Sequence, residues 1–385
     1  MKQLAAIIII LITSYQLYAQ FEELTFGSDS TLDVITWNIE HFPKNGQITI
    51  DYVGQIIEAL DIDIVAIQEV TDNIYLDQLV ENLDGWEGAY AYNQYAALAF
   101  VYRTSTVEEV EIYEIYTNNS REFPRSPLVM EMDFMDEHYI IINNHLKCCG
   151  DGYLEPNNPW DEETRRLDAC NLLDQYIADN YPDEKVIVLG DLNDILTDSP
   201  ANNVFQSFLD NPYEYFFVDM EIAEGSSSNW SYPTWPSHLD HILITDELFD
   251  EYENEDSETQ TIKLDDYFEE GWYDYDYNVS DHRPIGLKIK PSSNLGFVDW
   301  KESAINLTNY PNPVVTSTTI SFEPAKKNSE IEIYNMHEQK VRHISLLNNQ
   351  SSIELNVDYL SAGVYFIKLL VDGKVMAIRR MIVVE

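Results

Sequence analysis

Between residues 31 and 290 the apolar positions fall into short runs, and each run ends in polar residues. Residues 32–37 alternate like a half-buried strand and deliver Asn38. Ile50, Val53, Ile57 and Leu60 then recur at helical spacing, which predicts a helix over 50–60, and the run 64–67 leads to Glu69. Runs at 139–142 and 186–189 end at Asn143-Asn144-His145 and at Gly190-Asp191-Leu192-Asn193. His238-Leu239-Asp240 opens the run 242–244, and Ser280-Asp281-His282-Arg283-Pro284 precedes 285–287. Residues 161–181 read as a helix, acidic in its first turn and stopped by Pro182, with Leu167, Cys170, Leu173 and Ile177 along one stripe. Strands of one sheet bring distant positions onto a rigid edge, so these strand-end groups are expected to converge.

Beyond residue 307 the pattern changes to short alternating runs separated by turns, at 318–322, 331–335, 352–357, 364–370 and 375–384. That is the pattern of a small all-β sandwich, and no cluster of catalytic groups accompanies it. Charge marks the same boundary. The 385 residues carry 22 Lys+Arg against 68 Asp+Glu, a formal charge of -46. After Lys290 nine basic residues face ten acidic ones, a net charge of -1. Hydrophobic residues at 45% are ample for packed cores, so the acid sits on a folded protein. An excess this large excludes a broad basic face gripping a polyanion.

The N-terminus reads as an export signal, with Lys2, an apolar run over 4–12 and Ala19 before Gln20. The run is too short for a membrane span, which needs about 20 residues, and no later segment is apolar enough. Four regions are therefore expected: a signal peptide at 1–19, a catalytic domain at 20–290, a linker at 291–307 and a β-sandwich at 308–385. Export permits disulfides, but the cysteines number three, Cys148, Cys149 and Cys170. Two arrangements fit: a bridge from Cys148 or Cys149 to Cys170, clamping the helix to the loop after His145, or a buried free thiol.

Glu69, Asp191, Asn193, Asp240, Asp281 and His282 together have the chemistry of a hard-cation site. Carboxylate and amide oxygens suit Mg²⁺, Mn²⁺ or Ca²⁺, whereas zinc recruits more His and Cys. Asp191 and Asn193, two apart, share a face if extended and would reach one phosphate or water.

Trp37-Asn38-Ile39-Glu40, Ile67-Gln68-Glu69, Asn144-His145-Leu146-Lys147, Gly190-Asp191-Leu192-Asn193, Leu239-Asp240-His241-Ile242 and Ser280-Asp281-His282-Arg283-Pro284 form an ordered series. It resembles the endonuclease/exonuclease/phosphatase superfamily, which includes deoxyribonuclease I, apurinic endonucleases, sphingomyelinases and inositol polyphosphate phosphatases. The resemblance implies an α/β two-sheet sandwich flanked by helices, with the site at one end of the sheets. It implies that Glu69 and Asn38 hold a divalent ion, Mg²⁺ or Mn²⁺, with Asp281 at a second or shared metal position. Asp191 and Asn193 would position the water and the phosphate oxygens. His282, backed by Asp240, would be the catalytic imidazole, and His145 a second His on the phosphate. Arg125, in Pro124-Arg125-Ser126-Pro127, resembles an Arg-x-Pro segment that touches a backbone phosphate.

The implied reaction is in-line attack of water on a phosphodiester, with either Asp191 or His282 taking the proton. Over 96–102 no acid stands where deoxyribonuclease I relatives carry a partner for the second His, which puts a separate acid-base role of His145 in question. The expected activity is that of a secreted nuclease, and the alternative is a phosphodiesterase or phosphatase for small or lipid phosphates such as sphingomyelin or inositol phosphates. The intact residue set disfavours a non-catalytic surface-binding protein. Residues 246–278, with fourteen acids and only Lys263 as a base, read as a loop that either repels DNA beside the site or faces away as a solvated insertion. Trp230, Tyr232 and Trp235 either stack on a base or simply pack.

Tyr310-Pro311-Asn312-Pro313, Leu360-Ser361-Ala362-Gly363-Val364-Tyr365 and Arg379-Arg380 resemble the C-terminal sorting domain of type IX secretion cargo. That resemblance implies delivery through the secretion machinery, with the domain removed or kept as a surface anchor.

Overall fold

A computed structural model describes residues 20–91, 96–291, 307–322, 324, 329–335, 340–361, 363–371 and 374–384. The expected signal peptide and nearly all of the expected linker lie outside the described residues. The chain divides into two compact units, Met1–Ser292 and Ser293–Glu385.

In chain order the strands of the first unit are β1 (Leu32–Phe42), β2 (Ile64–Val70), β3 (Trp86–Tyr90), β4 (Ala97–Arg103), β5 (Glu108–Glu114), β6 (Leu128–Phe134), β7 (Glu137–His145), β8 (Lys185–Asp191), β9 (Tyr215–Phe217), β10 (Asp240–Thr245), β11 (Glu258–Thr261) and β12 (Ile285–Ile289). They form two six-stranded sheets, ordered β11-β12-β1-β2-β4-β3 and β5-β6-β7-β8-β10-β9. Each sheet contains one parallel pair, β1 with β2 and β7 with β8. A parallel pair needs a crossover, and helices supply both: α1 (Gln47–Leu60) between β1 and β2, and, after α2 (Asn73–Glu81), α3 (Glu162–Asn180) between β7 and β8.

Alternation along each strand builds three apolar layers. Leu32 and Val34 of β1 face the other sheet and meet Met130, Ile141, Leu189 and Ile242. Ile35, Trp37 and Ile39 face outward and pack on Ile50, Val53, Ile57 and Leu60 of α1. Likewise Val186 and Val188 of β8 pack against Cys170, Leu173 and Ile177 of α3. Both faces of both central strand pairs are therefore buried, which is why β2, β7 and β8 read as nearly continuous apolar stretches. Strand β1, expected from its alternation to be half-buried, is buried on both faces as well because its outward face is covered by α1. Each aliphatic side chain so buried contributes about 1.5–3 kcal/mol. Asp161 caps α3 by accepting from the Thr164 N–H at 2.8 Å, and Glu162 and Glu163 sit at the positive end of the helix dipole.

Two expectations are corrected. Residues 246–278 are not a loop: they contain the edge strand β11 and the helix Trp272–Asn278, with Leu264, Phe268 and Tyr275 buried in the core. Several of their acids hold specific cations, Glu251 with Lys185 at 2.8 Å and Asp265 with Arg283 at 2.6 Å. The bridge to Cys170 is not formed either. All three cysteines are free, and Cys170 is buried among the apolar residues between α3 and its sheet.

The second unit has two antiparallel sheets. One contains β13 (Thr308–Tyr310), β14 (Ser317–Ser321) and β17 (Ser352–Asn356), and the other is ordered β16 (Lys340–Ser345), β15 (Ser329–Asn335), β18 (Gly363–Val371), β19 (Lys374–Val383). Val314, Ile320, Ile333, Leu355, Ile367 and Met381 form its core. Among the described residues no helix is long and apolar enough to cross a membrane.

Candidate active site

Strand register assembles the site. His145 of β7 lies opposite Asp191 of β8, and Asp191 lies opposite Asp240 of β10, so three functional groups stand in a row across one sheet. In the other sheet Asn38 lies opposite Gln68, which places Glu69 beside it. The two rows meet where Asn38 Nδ2 donates to Asp191 Oδ2 at 2.9 Å. Beneath them Gln68 Nε2 donates to Asn143 Oδ1 at 2.8 Å, and Asn143 Nδ2 donates to the Ile67 and Ala99 carbonyls, both at 3.0 Å. This buried amide clasp joins the two sheets under the site. Gly190 has φ +144°, and a Cβ there would lie 1.9 Å from the Asn144 carbonyl oxygen, so only glycine permits the β7–β8 approach that delivers Asp191.

Glu69 adopts the left-handed region at φ 70°, a conformation costing about 1–3 kcal/mol for a residue with a side chain. Its Oε2 accepts from the His41 N–H at 3.0 Å and lies 3.2 Å from His41 Nδ1. Asn193 is also left-handed, at φ 56°, which corrects the extended geometry expected for Asp191 and Asn193. The Asn193 N–H donates to Asp191 Oδ1 at 3.1 Å, a side-chain turn that asparagine tolerates, and both residues still line the same cleft.

His282 Nδ1 lies 2.7 Å from Asp240 Oδ2. Its Nε2 is thereby aimed at the cleft, 4.0 Å from Asp191 Oδ2 and 3.9 Å from Asp281 Oδ1. Ser280 fixes the backbone here, its Oγ donating to the Asn38 carbonyl at 2.6 Å and accepting from the His282 N–H at 3.0 Å. Burial works against the His282 imidazolium, but the Asp240 charge and hydrogen bond, helped by Asp191 and Asp281, raise it to about 10. His145 is the opposite case. Burial, together with the charges of Arg125 and His282, holds it well below the ordinary histidine range, so its imidazole is neutral. His145 Nε2 lies 3.4 Å from Asp191 Oδ2 and 3.9 Å from Glu69 Oε1, while its buried Nδ1 has no hydrogen-bond partner among the described residues.

Asn38, Glu69, His145, Asp191, Asn193, Asp281 and His282 all line one cleft of about 370 Å³, and Asp240 stands fully buried behind His282. Arg125 is half-buried and does not line the cleft, although its charge bears on His145. Tyr232 and Trp235 do line it, the Tyr232 ring 4.8 Å from the His282 ring, whereas Trp230 packs with Nε1 donating to the Ile222 carbonyl at 3.1 Å.

Sequence reading did not single out His41, Ser280 or a second buried cluster behind the site. There Asp219 Oδ2 meets His238 Nε2 at 2.9 Å and His241 Nδ1 at 2.6 Å, while His241 Nε2 faces the Asp194 carbonyl at 2.8 Å. With acceptors on both ring nitrogens, His241 is held as an imidazolium that ties β10 to the residue after Asn193.

The donor set fits a hard divalent ion. Among the described residues Asn38 Oδ1 is buried without a hydrogen-bond partner, while its Nδ2 donates to Asp191. Burial, with Glu40 and Glu69 nearby, raises Asp281 to about 6 even though His282 and Lys44 oppose this. A dication among these oxygens would relieve that crowding and satisfy the orphan amide oxygen.

The model of the endonuclease/exonuclease/phosphatase family matches residues 35–282. The chain belongs to that family. Family members are metal-dependent hydrolases of phosphoric esters, and so is this enzyme. Residues 308–385 match the secretion system C-terminal sorting domain, and the protein is secreted or attached to the cell surface. TDP2 of D. rerio complexed with a single-strand DNA product shares the fold, with 18% identity, a TM-score of 0.52 and coverage of 68% of this chain and 99% of that one. A humanized D. rerio TDP2 matches at 16% identity and TM-score 0.50, over 68% of this chain and 99% of that one. No curated protein matches the sequence.

Proposed function

We propose that this family member is a secreted endonuclease that uses Mg²⁺ or Mn²⁺. Asn38, Glu69 and Asp281 hold the ion, which when bound supplies positive charge to the phosphate being cleaved. Asp191, fixed by Asn38 and by the Asn193 N–H, orients the attacking water and accepts its proton. His282 presents Nε2–H to a phosphate oxygen, stabilising charge as it develops, and Asp240 keeps it protonated and aimed. Neutral His145 and Asn193 complete the phosphate cradle.

The observation that favours a nucleic acid is the aromatic wall beside His282. Trp235 is 78% exposed although it lines the cleft with Tyr232, and a flat exposed indole next to a phosphate site suits a stacked base. The deciding experiment is hydrolysis of plasmid DNA, RNA, sphingomyelin and inositol phosphates by the purified enzyme with Mg²⁺. Nicking of the plasmid, with loss on Trp235→Ala, is the expected result. Turnover of only the lipid or sugar phosphates would overturn the nuclease reading.

A further inference from the structure

Cys148 and Cys149 are adjacent in sequence and line the same cleft as Glu69, His145 and Asp191. Their sulfurs stand 3.0 Å apart, with the Cys149 thiol donating to Cys148 Sγ. Cys148 is partly accessible and Cys149 exposed, whereas Cys170 is buried in the core under α3 and cannot compete for either. Lys147 Nζ donates toward Cys148 Sγ at 3.8 Å. We propose that Cys148 and Cys149 form a thiol–disulfide exchange site at the rim of the cleft, closing to a vicinal disulfide that slows the enzyme and reopening with reductant.

The chemistry needs a disulfide co-reactant, either a small-molecule disulfide or that of an exchange protein. Cys148 thiolate attacks one of its sulfurs and one thiolate leaves, giving a mixed disulfide on Cys148. Cys149 then attacks Cys148 Sγ, forming the intramolecular bond and releasing the second thiolate. The two protons of the cysteine pair end on the two departing thiols, and the two electrons reduce the partner disulfide. Export places the protein where such disulfides persist. Neighbouring Cα atoms are about 3.8 Å apart across a trans peptide, below the roughly 4.4–6.8 Å of ordinary disulfides, so the ring is strained and readily reduced. Strained, exposed disulfides are the reversible ones.

Closure reaches the site through Arg166. Its Nη1 donates to the carbonyls of Lys147 at 2.6 Å and Cys149 at 2.8 Å, and its Nε donates to Asp194 Oδ2 at 2.9 Å. Lys147 Nζ meanwhile holds the Cys148 carbonyl at 2.7 Å. Turning the Cys148–Cys149 peptide into an eight-membered ring pulls on all of these contacts, and Asp194 directly follows Asn193. A displacement near 1 Å at a reacting group costs up to about 10²-fold, and we expect a fall of about tenfold here.

The effect on turnover rests on the hydrolase reading above; the thiol chemistry does not. The exported protein is equilibrated in glutathione buffers of rising oxidised fraction, quenched by alkylation and analysed by peptide mass, with hydrolysis of bis(p-nitrophenyl) phosphate followed in parallel. The peptide holding both cysteines should become lighter by two hydrogens as turnover falls, and dithiothreitol should restore both. Cys149→Ser should stop at a glutathione adduct on Cys148, and Cys148→Ser should keep its turnover in every buffer. Alkylation of both thiols under oxidising conditions, or a bridge from either to Cys170, would overturn the proposal. So would a closed ring with unchanged turnover. An enzyme inactive in every buffer, with the mass change intact, would instead count against the hydrolase reading.

Discussion

Asp240 Oδ2 lies 2.7 Å from His282 Nδ1, and this contact decides which way the imidazole points and what charge it carries. His282→Ala should lower kcat by at least roughly 10²-fold, the low end for removing a hydrogen-bond donor aimed at developing charge, with KM little changed. Asp240→Asn keeps the shape but removes the charge, so it should lower kcat and, by leaving the buried imidazolium without its carboxylate, also lower thermal stability. Steady-state kinetics of the two variants would check this, and a His282→Ala enzyme as fast as wild type would remove His282 from the mechanism.

Removing the divalent ion should abolish hydrolysis, and Mg²⁺ or Mn²⁺ should restore it. Glu69→Gln and Asn38→Ala should each weaken Mn²⁺ binding, read directly by calorimetry as well as by the ion concentration giving half-maximal rate. Unchanged Mn²⁺ affinity in both variants would show that these oxygens do not hold the ion.

The buried Asp219–His241 pair sets a pH window for stability. Burial opposes the Asp219 carboxylate, but the charges and hydrogen bonds of His241 and His238 hold it well below the usual range. Its contribution is therefore present above about pH 4, the ordinary aspartate value, and lost as pH falls further. Burial likewise opposes the His241 imidazolium, yet Asp219 raises its pKa, so that contribution is complete below about pH 6.5 and lost as pH rises through the folded value. Asp219→Asn should cost about 3–5 kcal/mol in urea unfolding, most between roughly pH 4 and 6.5. A difference that stays flat from pH 4 to 9 would contradict the pairing.

A chain ending at Pro291 should retain wild-type kcat, because every residue of the site and its supporting layers lies in the first compact unit. Delivery to the cell exterior should fail in the same truncation, measured as enzyme activity in medium and cell fractions. Loss of soluble, active enzyme on truncation would show instead that the second unit supports the first.

How much of this was legible depended on how local the physics was. Strands β2, β7, β8, β10 and β12 announce themselves because burial on both faces leaves short apolar runs, β1 by its alternation and α1 and α3 by their helical spacing, and the polar ends of the strand runs mark the site. Asp219 was invisible because one acid among 68 gains meaning only through His238 and His241, about twenty residues away. The acid-rich stretch 246–278 hid Leu264, Phe268 and Tyr275 because the charges between them obscured their spacing. Asn193 misled for a different reason, since its left-handed turn is set by a hydrogen bond to Asp191 that alternation does not encode.

The row His145–Asp191–Asp240 runs across three strands and not along any one of them. Inserting a single residue within β8 would swing Asp191 into the apolar layer under α3 and turn Val188 toward the opposite sheet. The same insertion in the turn between α3 and β8, near Asp183, would leave the row untouched. Tolerance to insertion should thus switch from complete to nil within a few residues, and a library of one-residue insertions scored for hydrolysis would trace the outline of the site without any ligand.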